Sequence, residues 1–376
     1  MRWSSAASTV ARLEAAVDEA AAAVRAGLEG TPPDLVLAFV SPHHESRYER
    51  LPSLIHSALG DGTLVGCSAG GVIGGGHELE DQPGLSLSAA VLPDVRCTSF
   101  HLDEPALPPL AVAETPSFLL LPDPFTFDVD DLLHRLDTAH PGATVVGGLA
   151  SGGRAPGANV LYLDDAVHRR GLVGVALTGN VTVDTIVAQG CRPIGDPMFV
   201  TRSERNVIHE LDGQRAGAVL QELYAHTSAD DQQLFRHSLH IGIVMREDRQ
   251  EYGHGDFLIR NVMGIDGKSG ALVVGALVRD GMVVQFHLRD ARTSAADLDE
   301  LLGRYHGEAC GSLLFSCLGR GRHLYGEADH DTNAFRRHLG DVPLAGFFCN
   351  GEIGPVQGTT FLHGYTSAFG LFRPRR

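Results

Sequence analysis

What this chain has little of narrows its reading first. Its six cysteines, Cys67, Cys97, Cys191, Cys310, Cys317 and Cys349, include no Cys-x-x-Cys pair, which excludes a zinc ribbon and a thioredoxin-type motif. Six cysteines spread over 376 residues do not make a disulfide framework either, so free thiols in a reducing compartment are expected. No stretch approaches the roughly 20 apolar residues that a membrane-spanning helix needs. Glu14, Asp18 and Glu19 break up the N-terminal segment, so it does not read as a signal peptide. With neither an export nor an anchor signal, a cytoplasmic location is expected. Positive charge is scarce: 30 Lys and Arg against 46 Asp and Glu leave a net charge of −16, which disfavours nucleic acid and anionic membrane as partners. The basic run Arg373–Pro374–Arg375–Arg376 reads as a solvated tail. The glycine turns at 66–71 and 74–76 lack the Lys-Ser/Thr of a Walker loop and the context of a Gly-x-Gly-x-x-Gly turn, so no nucleotide site is assigned to them. His43–His44, His237 and His240 come nearest to a metal cluster, but no carboxylate stands at ligand spacing. No metal and no cofactor are expected.

What is present is apolar and rich in glycine. Hydrophobic residues make up 43% of the chain and glycine numbers 45, a mixture suited to an α/β or mixed α+β protein with many tight turns. Val10, Leu13, Val17, Val24 and Leu28 recur at helical spacing, predicting an amphipathic helix over about 8–29 that packs on the first domain. Short continuous apolar runs such as Leu35–Val40, Thr63–Cys67, Ser117–Leu121 and Ala143–Gly148 predict strands covered on both faces. Leu85–Val91 alternates, with Val95–His101 as its expected antiparallel neighbour, and Asp128 is the expected N-cap of the helix that follows it. Residues about 35–102 and 117–190 thus share one plan: strand, helix, strand, glycine turn, antiparallel strands. An internal duplication with a pseudo-twofold arrangement of two lobes is expected. A turn is expected at Ile194–Pro197 and a helix over Thr293–Tyr305, capped by Thr293 or Ser294. The plan then returns a third time, with strands at Ser312–Cys317 and Val342–Cys349 around a helix at Asp331–Leu339.

Several side chains in these patterns could carry chemistry. Arg260 and Asn261 interrupt an apolar strand, and an arginine placed there needs a partner: a ligand's carboxylate or phosphate, or a structural acid such as Glu352. Cys317 ends a strand beside Gly319–Arg320–Gly321; near a guanidinium it could be a nucleophile, with His323 or His363 as base, or a buried structural thiol. Arg320 could clamp an anion or pair with Glu352. Asn350, Gly351 and Glu352 place an amide and a carboxylate on a glycine turn at a strand end, where they could meet a ligand's ammonium or hydroxyl or satisfy the turn itself. The candidate ligand-binding set is Arg260, Asn261, Cys317, Arg320, Asn350, Gly351, Glu352 and His363, with Cys317 as the one candidate nucleophile.

The Val65–Gly71 turn, the Phe257–Asn261 strand with Gly264–Asp266, Phe315–Gly321 and above all Ala345–Pro355 are where the chain resembles proteins with paired FIST N-terminal and C-terminal domains, over nearly its whole length. The resemblance implies two mixed α/β domains of layered sheets with outer helices, at about 30–230 and 238–372. It also implies a role as a sensory, signal-transducing binder of small ligands, with amino acids and related anionic metabolites as the candidate class. It brings no catalytic residue set. The chain carries no kinase, cyclase, methyl-accepting or F-box segment, so any signal must pass through a partner protein or an oligomer. The rival readings are a Cys317-dependent hydrolase or transferase and a protein-interaction scaffold.

Overall fold

Three times the chain lays down two buried parallel strands around a helix. In the computed structural model, which describes residues 1–110, 114–249 and 251–375, Leu35–Val40 pairs with Thr63–Ser68, Ser117–Pro122 with Thr144–Gly148, and Gly311–Cys317 with Leu344–Cys349. The apolar runs are buried almost throughout, as strands covered on both faces must be. The intervening helices are Leu51–Leu59, Val129–Ala139 and His330–Leu339. Asp128 caps the second of them, its carboxylate accepting from the Asp131 backbone N–H. An antiparallel strand flanks each pair: Leu85–Val91, Leu172–Gly179 and Thr366–Arg373.

The strand after each glycine turn leaves its own copy and joins another. Gly71–Gly74, after the first turn, pairs with Leu344–Cys349 of the third copy. Leu161–Leu163, after the second, pairs with Thr63–Ser68 of the first. Glu352–Val356, after the third, pairs with Thr144–Gly148 of the second. The exchange is cyclic and closes only with three members, so the expected pseudo-twofold of two lobes gives way to a three-way ring. One glycine per copy makes the ring possible. A Cβ on Gly66, Gly147 or Gly346 would lie 2.1, 2.0 or 1.8 Å from the carbonyl oxygen of Ala38, Leu120 or Leu314 on the parallel partner strand. Opposite those glycines the exchanged strands place Tyr162, Ile353 and Ile73.

These copies form one compact unit, Met1–Val187 with Leu298–Arg376; the other is Ala188–Asp297. The expected halves, 30–230 and 238–372, each contribute to both. In the first unit the helix Leu13–Gly27 buries Leu13, Ala16, Val17, Ala20 and Val24 against the sheet of the first copy. Ahead of it lies a strand absent from the sequence reading, Arg2–Ser8, which takes the edge beside Leu85–Val91. Val95–Leu102, expected at that edge, pairs instead with Leu172–Gly179.

The second unit is a barrel-like sheet. Strands Cys191–Glu204, Val283–Arg289, Leu239–Val244, Phe257–Ile265, Leu272–Val274 and Val207–Leu211 pair in that order, and the last pairs back onto the first. Helices Ala216–His226 and Ala229–Ser238 accompany them, and Ile194, Ile241, Phe286 and Leu288 belong to its core. The turn expected at Ile194–Pro197 is a register irregularity within one long strand. The helix expected from Thr293 begins at Ala291, with the Asp290 carboxylate accepting from the Arg292 N–H and the Thr293 hydroxyl. Together the two units are a mixed α+β architecture of mixed sheets and helices.

Candidate ligand site at the glycine-turn ring

The three glycine turns bond to one another. The Ser151 N–H of the second donates to Ser68 O of the first at 3.1 Å. One position later in the cycle the same bond recurs, the Asn350 N–H of the third donating to Leu149 O of the second at 3.1 Å. The side chain of Asn350 strengthens that junction through Nδ2–H to Ala150 O, and Gly351 O accepts from the Leu149 N–H. The equivalent bond closing the cycle would run from the Gly70 N–H to Phe348 O. The Ser151 hydroxyl stands between them, accepting from Gly70 at 2.8 Å and donating to Phe348 O at 2.5 Å. Two junctions are therefore closed backbone to backbone, and one is propped open by a side chain.

A cavity of about 410 Å³ lies at this propped junction, lined by Gly70, Gly71, Leu318, Phe348, Glu80, Asp81, Arg322 and His323. Its walls carry two carboxylates and two basic side chains. Glu80 is half-buried, and its pKa is raised by burial although the Arg322 N–H donates to the carboxylate at 3.0 Å. Gly321 makes that approach possible: its φ is +56°, and a Cβ there would lie 2.5 Å from Glu80 Oε1. Asp81, Arg322 and His323 are exposed. Such an arrangement can hold an ammonium on one side and a carboxylate on the other.

The candidate residues from the sequence divide between the units. Arg260 and Asn261 stand on Phe257–Ile265 in the second unit, half-buried and exposed, in register with Ile241 and His240. The other six are brought together in the first unit, but most of them face inward. Arg320 is wholly buried, and its partner is Asp331 rather than Glu352: Nε donates to Asp331 Oδ2 at 2.9 Å and Nη2 to Oδ1 at 3.2 Å. Nη2 also donates to the Tyr325 hydroxyl, while Ser316, Ser367 and His330 bond to the Asp331 carboxylate. Burial works against both charges, but the pair overrides it, holding Asp331 below and Arg320 above their ordinary ranges. Nearby Glu78, also buried, is pushed up to about 8 by burial and then by Asp331; its Oε1 accepts from the Thr332 N–H.

Glu352 is wholly buried and pushed up to about 7 by burial, although the Thr366 N–H and hydroxyl donate to it. The Cys349 thiol, raised by burial and by Glu352, lies 3.4 Å from Glu352 Oε1. His363 is the cross-strand partner of Glu352, and its Nε2 bonds to Gly354 O at 3.0 Å. Gly351 packs against Leu362 and Leu149.

Cys317 occupies a turn that all three copies share. The Arg320 N–H donates to Cys317 O just as His44 donates to Ser41 O and Thr126 to Asp123 O. Ser41 and Asp123 use their side chains there to fix local structure, through the Gly84 N–H and through Asn159 and Thr126. The sequence reading missed Asp331, Glu80, Asp81, Arg322 and Ser151 as site residues. The five-residue spacing shared by Gly66–Gly71, Gly147–Gly152 and Gly346–Gly351 would have aligned the copies and shown Ser151 as the hydroxyl-bearing member of a position that is Gly70 in the first copy and Asn350 in the third. Among the described residues no helix is long and apolar enough to cross a membrane, and no group of three or more His, Cys, Asp and Glu is placed to hold a metal ion.

Comparison with known proteins yields two family matches along the chain. The FIST N domain matches residues 34–214 and the FIST C domain residues 216–355. The chain is 40% identical to an uncharacterized protein of Mycobacterium tuberculosis strain H37Rv, covering 97% of this chain and 98% of that one. It is 39% identical to an uncharacterized protein of Mycobacterium bovis, over 94% of each. It is 23% identical to an F-box/LRR-repeat protein of Arabidopsis thaliana, over 68% of this chain and 58% of that protein.

Proposed function

The chain belongs to the family of paired FIST N and FIST C domains, which are associated with sensory binding of small ligands, and from that premise we propose that its ligand site is the cavity at the propped junction. The ligand is a small zwitterion of the amino acid class. Glu80 and Asp81 receive its ammonium; Arg322 and His323 receive its carboxylate. The observation that supports this reading is the coincidence of the one side-chain-bridged junction with a cavity bearing both signs of charge. The buried members of the expected set serve as scaffold: Arg320–Asp331 holds the 317–323 loop, and Glu352 with Thr366 holds the start of the exchanged strand. A ligand held by Glu80, Asp81, Arg322 and His323 sits beside the gap between Gly70 and Phe348 that Ser151 props open, and an unidentified signalling protein reads its presence.

The test is a thermal-shift screen of the full chain against the common amino acids. A binder is expected to raise Tm saturably, as mass action requires. Glu80→Gln and Arg322→Gln are expected to remove the response while leaving the unliganded Tm within a few degrees. Silence of the whole screen at millimolar concentration, or a response that survives both substitutions, overturns the proposal.

A further inference from the structure

A second cavity, of about 330 Å³, opens elsewhere in the first unit, beside the edge strand Arg2–Ser8. Its wall is part apolar and part polar: Trp3, Phe335 and Leu344 are buried and Val342 half-buried, and Ser4, Ser5, Thr332, Arg336 and Asp341 line it with them. Gly76 and Gly340 line it with positive φ and open space where a Cβ would project, so the backbone leaves room that a side chain would fill. Two hydroxyls on the wall are already engaged, Ser5 with Leu344 O and Thr332 with Asp329 O. The Trp3 indole N–H is not. Trp3 is 4% exposed, its ring stacks on Phe372 at 4.6 Å, and Nε1 is buried with no hydrogen-bond partner among the described residues. A buried donor left unmet is a standing penalty that a ligand's acceptor removes. At the rim Arg336 bonds to the Asn333 amide and forms no ion pair among the described residues; Asp341 stands on the same rim.

We propose that this cavity is a binding site for a small hydrophobic carboxylate, its hydrocarbon against Trp3, Phe335, Val342 and Leu344 and its acid group on the side of the indole N–H and Arg336. Apolar walls with a few polar groups are the usual make-up of small-molecule pockets, and the volume suits a short aliphatic or monocyclic aromatic acid. A carboxylate is favoured over an amine because both hydrogen-bonding groups assigned to it are donors. Asp341 opposes the anion, which gives the site a built-in check on the sign of the ligand's charge.

Trp3 is the single tryptophan and lines this cavity, so the chain's tryptophan emission comes from a residue of its wall. Octanoate, titrated into the full chain below its micelle concentration, is expected to shift that emission saturably. Octanamide is expected to bind about tenfold more weakly, the scale of a lost charge-assisted bond. Arg336→Gln is expected to weaken octanoate by a similar factor without affecting octanamide, and Asp341→Asn to tighten octanoate. In Trp3→Phe, followed by calorimetry, octanoate affinity is expected to fall; both rim variants keep the test valid if this one does not fold. Glu80→Gln is expected to change none of these values. No saturable emission change with octanoate, equal affinity for acid and amide, or rim substitutions without opposite effects would overturn the proposal.

Discussion

The three junctions of the glycine-turn ring are built from one plan and end differently. Where Ser68 meets Ser151 and Leu149 meets Asn350, backbone bonds backbone. Where Phe348 meets Gly70, the Ser151 hydroxyl intervenes and a charged cavity opens beside it. A direct backbone bond closes a gap and fixes both partners. A side-chain bridge adds the width of a hydroxyl and can be withdrawn by a rotamer change. The repeat therefore supplies rigidity at two places and an opening at the third.

The comparison is broken most severely by removing what makes the copies equivalent. Gly346→Ala, Gly147→Ala and Gly66→Ala each drive a Cβ into a carbonyl oxygen, and each is expected to destabilise by more than about 4 kcal/mol or to prevent folding. Comparable losses in denaturant unfolding would confirm the three-way equivalence, and one tolerated substitution would refute it. Next comes the buried pair behind the third turn. Arg320→Met or Asp331→Leu alone leaves a buried group uncompensated and is expected to lose about 3–5 kcal/mol, with the double variant Arg320→Met/Asp331→Leu recovering much of it. Additive losses in a double-mutant cycle would contradict that.

A smaller effect concerns Glu352 and Glu78, whose pKa values are raised to about 7 and about 8. The unfolded carboxyls release their protons near pH 4.5 while the folded ones retain them. The folded state then binds more protons, so stability is greatest below pH 4.5 as far as these groups are concerned and falls as pH rises toward 7–8. The share due to Glu352 is up to about 3 kcal/mol. Urea unfolding from pH 5 to 8 should show this slope, and Glu352→Gln should reduce it; an unchanged slope would count against a protonated Glu352. The smallest expected effect sharpens the comparison directly. Ser151→Ala leaves the Gly70 N–H and Phe348 O without their bridge, an expected loss of about 1–3 kcal/mol, together with altered binding at the cavity. Asn350→Ala, at a closed junction, should leave binding unchanged, because the backbone bond there does not depend on its side chain.

Much of this fold was legible in the residues. The apolar runs Leu35–Val40, Ser117–Leu121 and Val342–Cys349 mark buried strands because alternation is lost when both faces are covered. Asp128 marked a helix start through its capping oxygen. Arg2–Ser8 escaped notice because its mixed serine and alanine pattern has no strong period, and its partner strand, Leu85–Val91, lies far along the chain. The candidate site was half legible. The Asn350–Gly351–Glu352 turn and the 317–321 loop do border the ring, but which of their side chains face a ligand depends on burial. Glu352 and Arg320, which could be read as ligand contacts or as each other's partners, are enclosed; Glu80 and Arg322, which the sequence did not single out, line a cavity.

The sequence by itself determined that there are three copies of one strand–helix–strand–glycine-turn unit, which residues are apolar enough to be buried, and the glycines that allow parallel strands to touch. These are local properties of period, volume and backbone freedom, carried within a few residues of chain. Tertiary structure alone decided that each copy gives its outgoing strand to another, that Asp331 and not Glu352 answers Arg320, and that the third junction of the ring is propped open by Ser151. Those outcomes depend on which surfaces meet over separations of up to two hundred or more residues, where pairing is chosen by the packing of the whole unit and leaves no periodic mark on the chain.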